Sequence, residues 1–184
     1  MSQRPSRKGR IEVICGPMFS GKTEEMLRRL RREVIAGRHP LILIPPRGRY
    51  RDKIESRQGT YMNAAVSQHA EYAFEAIKYH DWGGTYCVVA FDEAHWFDDL
   101  WTTSCILAKQ GHRVIVSGLD MDYKGLPFQS IAMTMGVAEK VTKLTAVGPC
   151  CDCEATHTAR VGDGEDEGGA WAPMCRTCWH QHQH

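Results

Sequence analysis

Between an apolar run at residues 11–15 and a stretch of helical periodicity at 23–36, the chain reads Gly16-Pro17-Met18-Phe19-Ser20-Gly21-Lys22-Thr23. This G-x-x-x-x-G-K-[ST] spacing constrains the fold more than any other feature. Glycines let the backbone turn so that several N–H groups face one centre, and the following helix presents its positive end to the same point. Such a loop holds phosphate: Lys22 acts as a point charge toward the outer phosphates of a nucleoside triphosphate, and Thr23 offers a hydroxyl to Mg²⁺. It also needs a strand before it and a helix after it.

The rest of the chain supplies that context. In 23–36, Met26, Leu27, Leu30 and Val34 recur at helical spacing, while Arg28, Arg29, Arg31 and Arg32 fall elsewhere, and Gly37 is a helix stop. Residues 41–44 form a second apolar strand, closed by Pro45-Pro46, and the polar stretch 47–65 reads as a loop. Ala70, Ala73, Phe74 and Ile77 mark a second helix, and 86–91 a third strand. Asp98 is placed to cap a third helix that ends at Gly111; 114–116 is a fourth strand, Pro127 opens another helix, and 141–145 is a last strand. Strands alternating with helices predict a parallel sheet covered on both faces.

The stretch 86–95, YCVVAFDEAH, is apolar and then acidic, so its acids stand at the carboxyl end of a strand, the edge where open α/β sheets bind ligands. Asp92 is placed to organise Mg²⁺, and Glu93 to take a proton from a nucleophile. The tetrad Asp92-Glu93-Ala94-His95 also occurs in helicases, but such motors need two nucleotide-handling domains and this chain has room for one. The basic residues 28–32 read as a solvated or subunit-facing helix surface. A net charge of +1 gives no global field for nucleic acid or membrane.

From about residue 148 the pattern changes to Cys, Gly and acids, with GDGEDEGG at 162–169. Cys150-x-x-Cys153 and Cys175-x-x-Cys178, 21 residues apart, are two knuckles spaced to hold zinc. Four thiolates close a tetrahedral shell, so the ion would be structural. Cys151 leaves the first knuckle ambiguous, since Cys151 and Cys153 could serve instead. His180, His182 and His184 read as solvated. The expected organisation is a flexible basic tail (1–10), a P-loop α/β domain (11–147), a small zinc-ribbon-like lobe (148–179) and a short tail (180–184). With no apolar core behind the basic start and no membrane-length apolar run, the chain reads as cytoplasmic.

Taken in order over residues 10–179, these motifs resemble the cytosolic-type (type II) thymidine kinase family. GPMFSGKT (16–23) matches its phosphate loop, FDEAHWF (91–97) is similar to its IDEAQFF, and GLDMDYKGLPF (118–128) to its GLD-x-D-F-x-G-x-PF. VTKLTAV (141–147) leads into the knuckle, and GGAW then CRTC (168–178) resembles the return of the family's substrate lasso. The resemblance implies transfer of the ATP γ-phosphate to the 5′-hydroxyl of thymidine or deoxyuridine, with Glu93 as base, Lys22 and Mg²⁺ offsetting charge, and a lasso at about 148–174. Residues 16–23 and 92–95 would bind ATP and Mg²⁺. Met18, Trp96, Tyr123, Phe128 and Trp171 would wall the nucleoside pocket, although Tyr123 and Phe128 also suit a plain core. A homotetramer acting on ATP and a nucleoside, without nucleic-acid or membrane partners, is implied too. The chain departs from the family at His95 (Gln there), Trp96 (Phe), Trp171 (Tyr), Arg47 (Asp) and Arg57 (His).

Overall fold

The computed structural model describes residues 8–47, 52–79, 87–162 and 170–183. The first residues of the basic tail, Arg49 and Tyr50, Tyr86, the acidic stretch 163–169 and His184 lie outside the described residues.

The first strand, β1 (Arg10–Cys15), leads through the Gly16–Gly21 turn into α1 (Lys22–Ile35), and β2 (Leu41–Ile44) follows. Next come β3 (Lys53–Glu55), β4 (Tyr61–Asn63), β5 (Ala65–Val66), α2 (Tyr72–Tyr79) and β6 (Val88–Phe91). The order continues with α3 (Leu100–Lys109), β7 (Arg113–Gly118), α4 (Gln129–Val137) and β8 (Lys140–Lys143). Six of these strands form one sheet in the order β5-β2-β6-β7-β1-β8, and each pairing in it is parallel. No described helix is long and apolar enough to cross a membrane.

Alternation along each strand divides the core between two faces. Val13, Val89, Val114 and Val116 pack with Ala73, Leu100, Leu107 and Ile131, which come from α2, α3 and α4. Ile14, Ile42, Ala90 and Ile115 face the other way, onto Met26, Leu27 and Leu30 of α1 and onto Ile54. At the end of α1, Gly37 takes a positive φ of 75°. The N–H groups of Gly37 and Arg38 then close onto the carbonyls of Val34 and Glu33, which terminates the helix.

Several expectations need correction. The stretch 47–65 is not only loop: β3 and β4 pair antiparallel with Ile54 opposite Met62, and β5 joins the sheet edge beside β2. Three-residue strands carry too little alternation to register in a sequence pattern, yet Ile54 is fully buried. Asp99, not Asp98, occupies the cap position of α3. Its carboxylate accepts from the N–H groups of Ala70 and Glu71 at 2.9 and 2.8 Å, and so caps the segment entering α2 instead. Val34 is 46% exposed, while Arg29 and Glu33 are buried in its place.

Arg29 is therefore no part of a solvated basic face. Its guanidinium donates to Glu12 Oε2 at 3.0 Å and to Thr142 Oγ1 at 2.9 Å. Arg113 donates to both oxygens of Glu12 at 2.8 Å, and Arg10 adds a third cation at 2.7 Å. Burial alone would raise the Glu12 pKa, but hydrogen bonds from Arg113 and Arg10 outweigh it and lower the carboxyl from 4.5 to about 2.

Glu12→Gln removes the carboxylate that Arg10, Arg29 and Arg113 share, leaving Arg29 paired with Glu25 and Arg113 with Glu33, and is expected to cost about 1.5–3 kcal/mol in urea unfolding at neutral pH, the scale of lost charge-assisted hydrogen bonds. The folded pKa is depressed, so the stabilisation is complete above the unfolded pKa and is lost as pH falls from about 4.5 toward 2. The gap between wild type and variant should close over that window, and a gap that stays constant would refute this account of Glu12.

Candidate active site

Parallel register brings the ends of three strands together. Cys15 pairs with Gly118 on β7, and Val116 of β7 pairs with Phe91 on β6. The residues that follow, Gly16 to Thr23, Leu119 and Asp120, and Asp92 and Glu93, meet at this edge. Gly16 is required there: its φ is 142°, and an added Cβ would stand 2.2 Å from the Leu144 carbonyl oxygen. Gly21 also takes a positive φ, 81°, and occupies the cap position of α1, whose first turn carries Glu24 and Glu25.

Within the loop, Lys22 Nζ donates to the Pro17 carbonyl at 2.6 Å and Ser20 Oγ to the same oxygen at 2.8 Å. Burial pushes the Lys22 pKa down, while Glu93, Asp92 and Asp120 oppose the shift. Thr23 Oγ1 donates to Asp92 Oδ2 at 3.2 Å, so the hydroxyl and carboxylate expected at one cation do converge. Asp92 is buried and its pKa is raised by that burial, against Ser117, Thr23 and Lys22. These oxygens suit a hard divalent ion.

Glu93 has φ 49° and ψ 37°, a left-handed conformation that non-glycine residues rarely adopt and that concentrates at functional sites. The 3₁₀ turn Ala94–Trp96 follows it. Glu93's side chain is 48% exposed while His95's is 2% exposed, and their Oε2 and Nε2 atoms lie 3.7 Å apart. Burial and then the Lys22 charge push the His95 pKa down to about 3, so the ring is neutral.

The expected pocket residues fall into two aromatic groups. His95 packs on Trp96 and Phe128 with ring centroids 5.0 and 4.7 Å away, and Trp96 lies 6.2 Å from Phe128. Tyr123 packs on Trp171 at 6.0 Å. Tyr123 sits in a loop held by the Asp122 carboxylate, which accepts from the N–H groups of Lys124 and Leu126 at 2.9 and 2.8 Å. Met18 enters through its main chain, its N–H donating to Thr158 Oγ1 at 3.0 Å. Two departures from the family meet aromatic faces: Arg57 lies 3.9 Å over Phe19 of the loop, and Arg47 lies 5.5 Å over Trp96.

The C-terminal lobe is built from β9 (Ala146–Val147), β10 (Glu154–Ala155), β11 (His157–Arg160), β12 (Trp171–Met174) and α5 (Arg176–His182). It forms two short antiparallel pairs, β9 with β10 and β11 with β12. The lobe seats on the main domain through Thr158 and through Trp179, whose Nε1 donates to the Tyr123 carbonyl at 3.2 Å. The helix α5 takes in His180 and His182, which sequence reading assigned to a tail; His182 Nε2 lies 2.8 Å from the Arg160 carbonyl. Both remain exposed.

The five late cysteines come together. The thiols of Cys150, Cys151 and Cys178 lie within 4.8 Å of one another, and Cys151 Sγ lies 3.6 Å from Cys175 Sγ. Hydrogen bonds from Cys153 and the neighbouring thiols hold Cys151 down at about 7, whereas Cys150, Cys151 and Cys175 push the Cys178 pKa up. Crowded thiols that resist full ionisation are what a soft-liking dication relieves, so the cluster is compatible with structural zinc.

A family model for thymidine kinase matches residues 9–179. The chain belongs to the thymidine kinase family. Membership makes it a nucleoside kinase by class, as the cytosolic-type motifs implied. In this thymidine kinase family chain, sequence reading passed over Asp120, Ser117 and Thr158. Asp120 is buried against Lys143 at 2.7 Å, and its only sequence signal was its place in GLDMD after a strand. Thr158 carried none, because its role depends on how the lobe docks.

Gly16→Ala must displace the Leu144 carbonyl and also hold a φ of 142°, so it is expected to lose about 1–3 kcal/mol of stability to overpacking on top of about 1–3 kcal/mol of backbone strain. Gly21→Ala meets nothing within 4 Å and carries only the left-handed backbone cost, about 1–2 kcal/mol. Chemical denaturation that ranks Gly21→Ala as the more damaging would contradict the close packing at Gly16.

Proposed function

We propose that the chain transfers the γ-phosphate of ATP to the 5′-hydroxyl of thymidine or deoxyuridine, with Glu93 as general base. The observation that carries this is the convergence of Thr23, Asp92 and Lys22 beside a Glu93 held in a left-handed conformation and half-exposed at the mouth. The loop 16–23 binds the phosphates through main-chain N–H groups and Lys22. Mg²⁺ carried with ATP, held by Thr23 and Asp92, would offset charge on the transferring group. As the 5′-oxygen bonds to the γ-phosphorus, the bond to the β-phosphate oxygen breaks and the hydroxyl proton passes to the Glu93 carboxylate. Met18, Trp96, Tyr123, Phe128 and Trp171 enclose the base, a flat surface that buries well against aromatic and thioether groups. Residues 148–174 act as the lasso. A homotetramer in the cytoplasm completes the reading, and the family resemblance supports it.

A shifted base preference is the second reading, favoured by Arg47 lying over Trp96 and by His95 packed between Trp96 and Phe128. A nucleoside panel with Mg-ATP separates the two. Thymidine or deoxyuridine should lead, and Glu93→Gln should lower kcat by about 10²- to 10⁴-fold. A fully active Glu93→Gln enzyme would remove Glu93 as the base, and turnover of a different nucleoside would establish the second reading.

The zinc we propose has Cys150, Cys175 and Cys178 as ligands, with the fourth thiolate from Cys151 or Cys153. The contact of Cys151 with Cys175 favours Cys151. Metal analysis should find about one zinc per chain, as a four-thiolate site requires. Cys151→Ser should lose the metal on dialysis while Cys153→Ser retains it, and the reverse pattern would assign Cys153.

A further inference from the structure

His95 is buried, and both of its ring nitrogens have a recorded neighbour. The Leu119 N–H donates to Nδ1 at 3.3 Å, so Nδ1 is the acceptor and the proton of the neutral ring resides on Nε2. Nε2 lies 3.7 Å from the Glu93 carboxylate. The ring has little freedom to turn away, being packed on Trp96 and Phe128. Its main chain is confined as well. Ser130 Oγ donates to the His95 carbonyl at 3.4 Å, and a Cβ added at Gly118 would stand 3.2 Å from His95 N.

We infer that His95 is a positioning residue for phosphate transfer, its Nε2–H holding the Glu93 carboxylate in the orientation that receives the 5′-hydroxyl proton. The inference rests on the reading of Glu93 as the base. At 3.7 Å the contact is longer than a hydrogen bond, and such contacts shorten when substrate completes the site. Burial keeps the ring uncharged. A neutral donor orients a carboxylate while leaving it more basic than a cationic partner would. Among the described residues, the other charged groups around the site include Lys22 from the phosphate loop, Asp92 and Asp120 at the strand ends, Lys143 against Asp120, Arg47 over Trp96, and Asp98, which shares a cavity lining with His95. Lys22 would be engaged by the phosphates of ATP, Lys143 is engaged by Asp120 and Arg47 lies on the Trp96 face, while the neutral Nε2–H of His95 is the donor beside the Glu93 carboxylate.

The test combines nitrogen-15 NMR of the histidine rings with steady-state kinetics of His95→Leu, His95→Gln, Glu93→Gln and the double variant His95→Leu/Glu93→Gln. The His95 ring is expected as the neutral Nε2–H form. His95→Leu should lower kcat about tenfold to a hundredfold, the scale of a misplaced reacting group, a larger effect than any on KM for ATP or nucleoside. His95→Gln carries an amide donor at the reach of Nε2 and should restore most of that loss. The double variant should be no slower than Glu93→Gln alone. An Nδ1–H ring, a fully active His95→Leu enzyme, or a His95→Gln enzyme as slow as the leucine variant would each overturn the inference. If His95→Leu does not fold, the ring form and the His95→Gln kcat decide it. Full activity of Glu93→Gln would remove the base itself, a result distinct from a dispensable His95 beside an essential Glu93.

Discussion

Everything at the candidate site depends on parallel strand register. With β1 paired to β7 and β7 to β6, the chain leaves the sheet three times at one edge. It deposits a glycine loop, an Asp-Glu pair and a Leu-Asp pair within reach of one another. A parallel sheet buries both faces and leaves polar chemistry to its strand ends. The single hydrogen bond from Thr23 to Asp92 shows the consequence: residues 69 positions apart in sequence meet because the strands carrying them are stacked in register.

The opposite end of β1 is held by charge. Glu12 lies on the face that meets α1, where Ile14 also packs, and it is surrounded by Arg10, Arg29 and Arg113. A buried carboxylate is costly unless its oxygens are filled, and here three guanidiniums fill them. The network ties α1 to β1 and β7, and thus fixes the helix whose first turn bears Lys22 and Thr23. Stability at one end of the sheet and phosphate chemistry at the other share the same helix.

Much of this was legible in the sequence. The phosphate loop declares its own strand and helix, β2 matches the apolar run 41–44, and the DEAH tetrad falls where a strand ends. What escaped has physical reasons. Arg29 and Arg28 look alike in sequence, and only the position of Glu12 across the interface decides that one is buried and the other exposed. The β3–β4 pair and the hairpins of the lobe are too short for periodicity to mark. The backbone of Glu93 gives no warning of its positive φ, since glutamate has no preference for that region. Cys151 was visible as a rival ligand, but its contact with Cys175 needed the fold of the lobe.

The claim on which the account turns is the fate of the terminal phosphate. Incubating the protein with ATP radiolabelled at the γ-position, Mg²⁺ and thymidine, then separating products, tests it most directly. Label on the 5′-position of the nucleoside is the expected result. Label released only as inorganic phosphate, or left on ATP that is nonetheless bound, with thymidine and with each other nucleoside offered in its place, would contradict the reading of this edge of the sheet as a nucleoside kinase site.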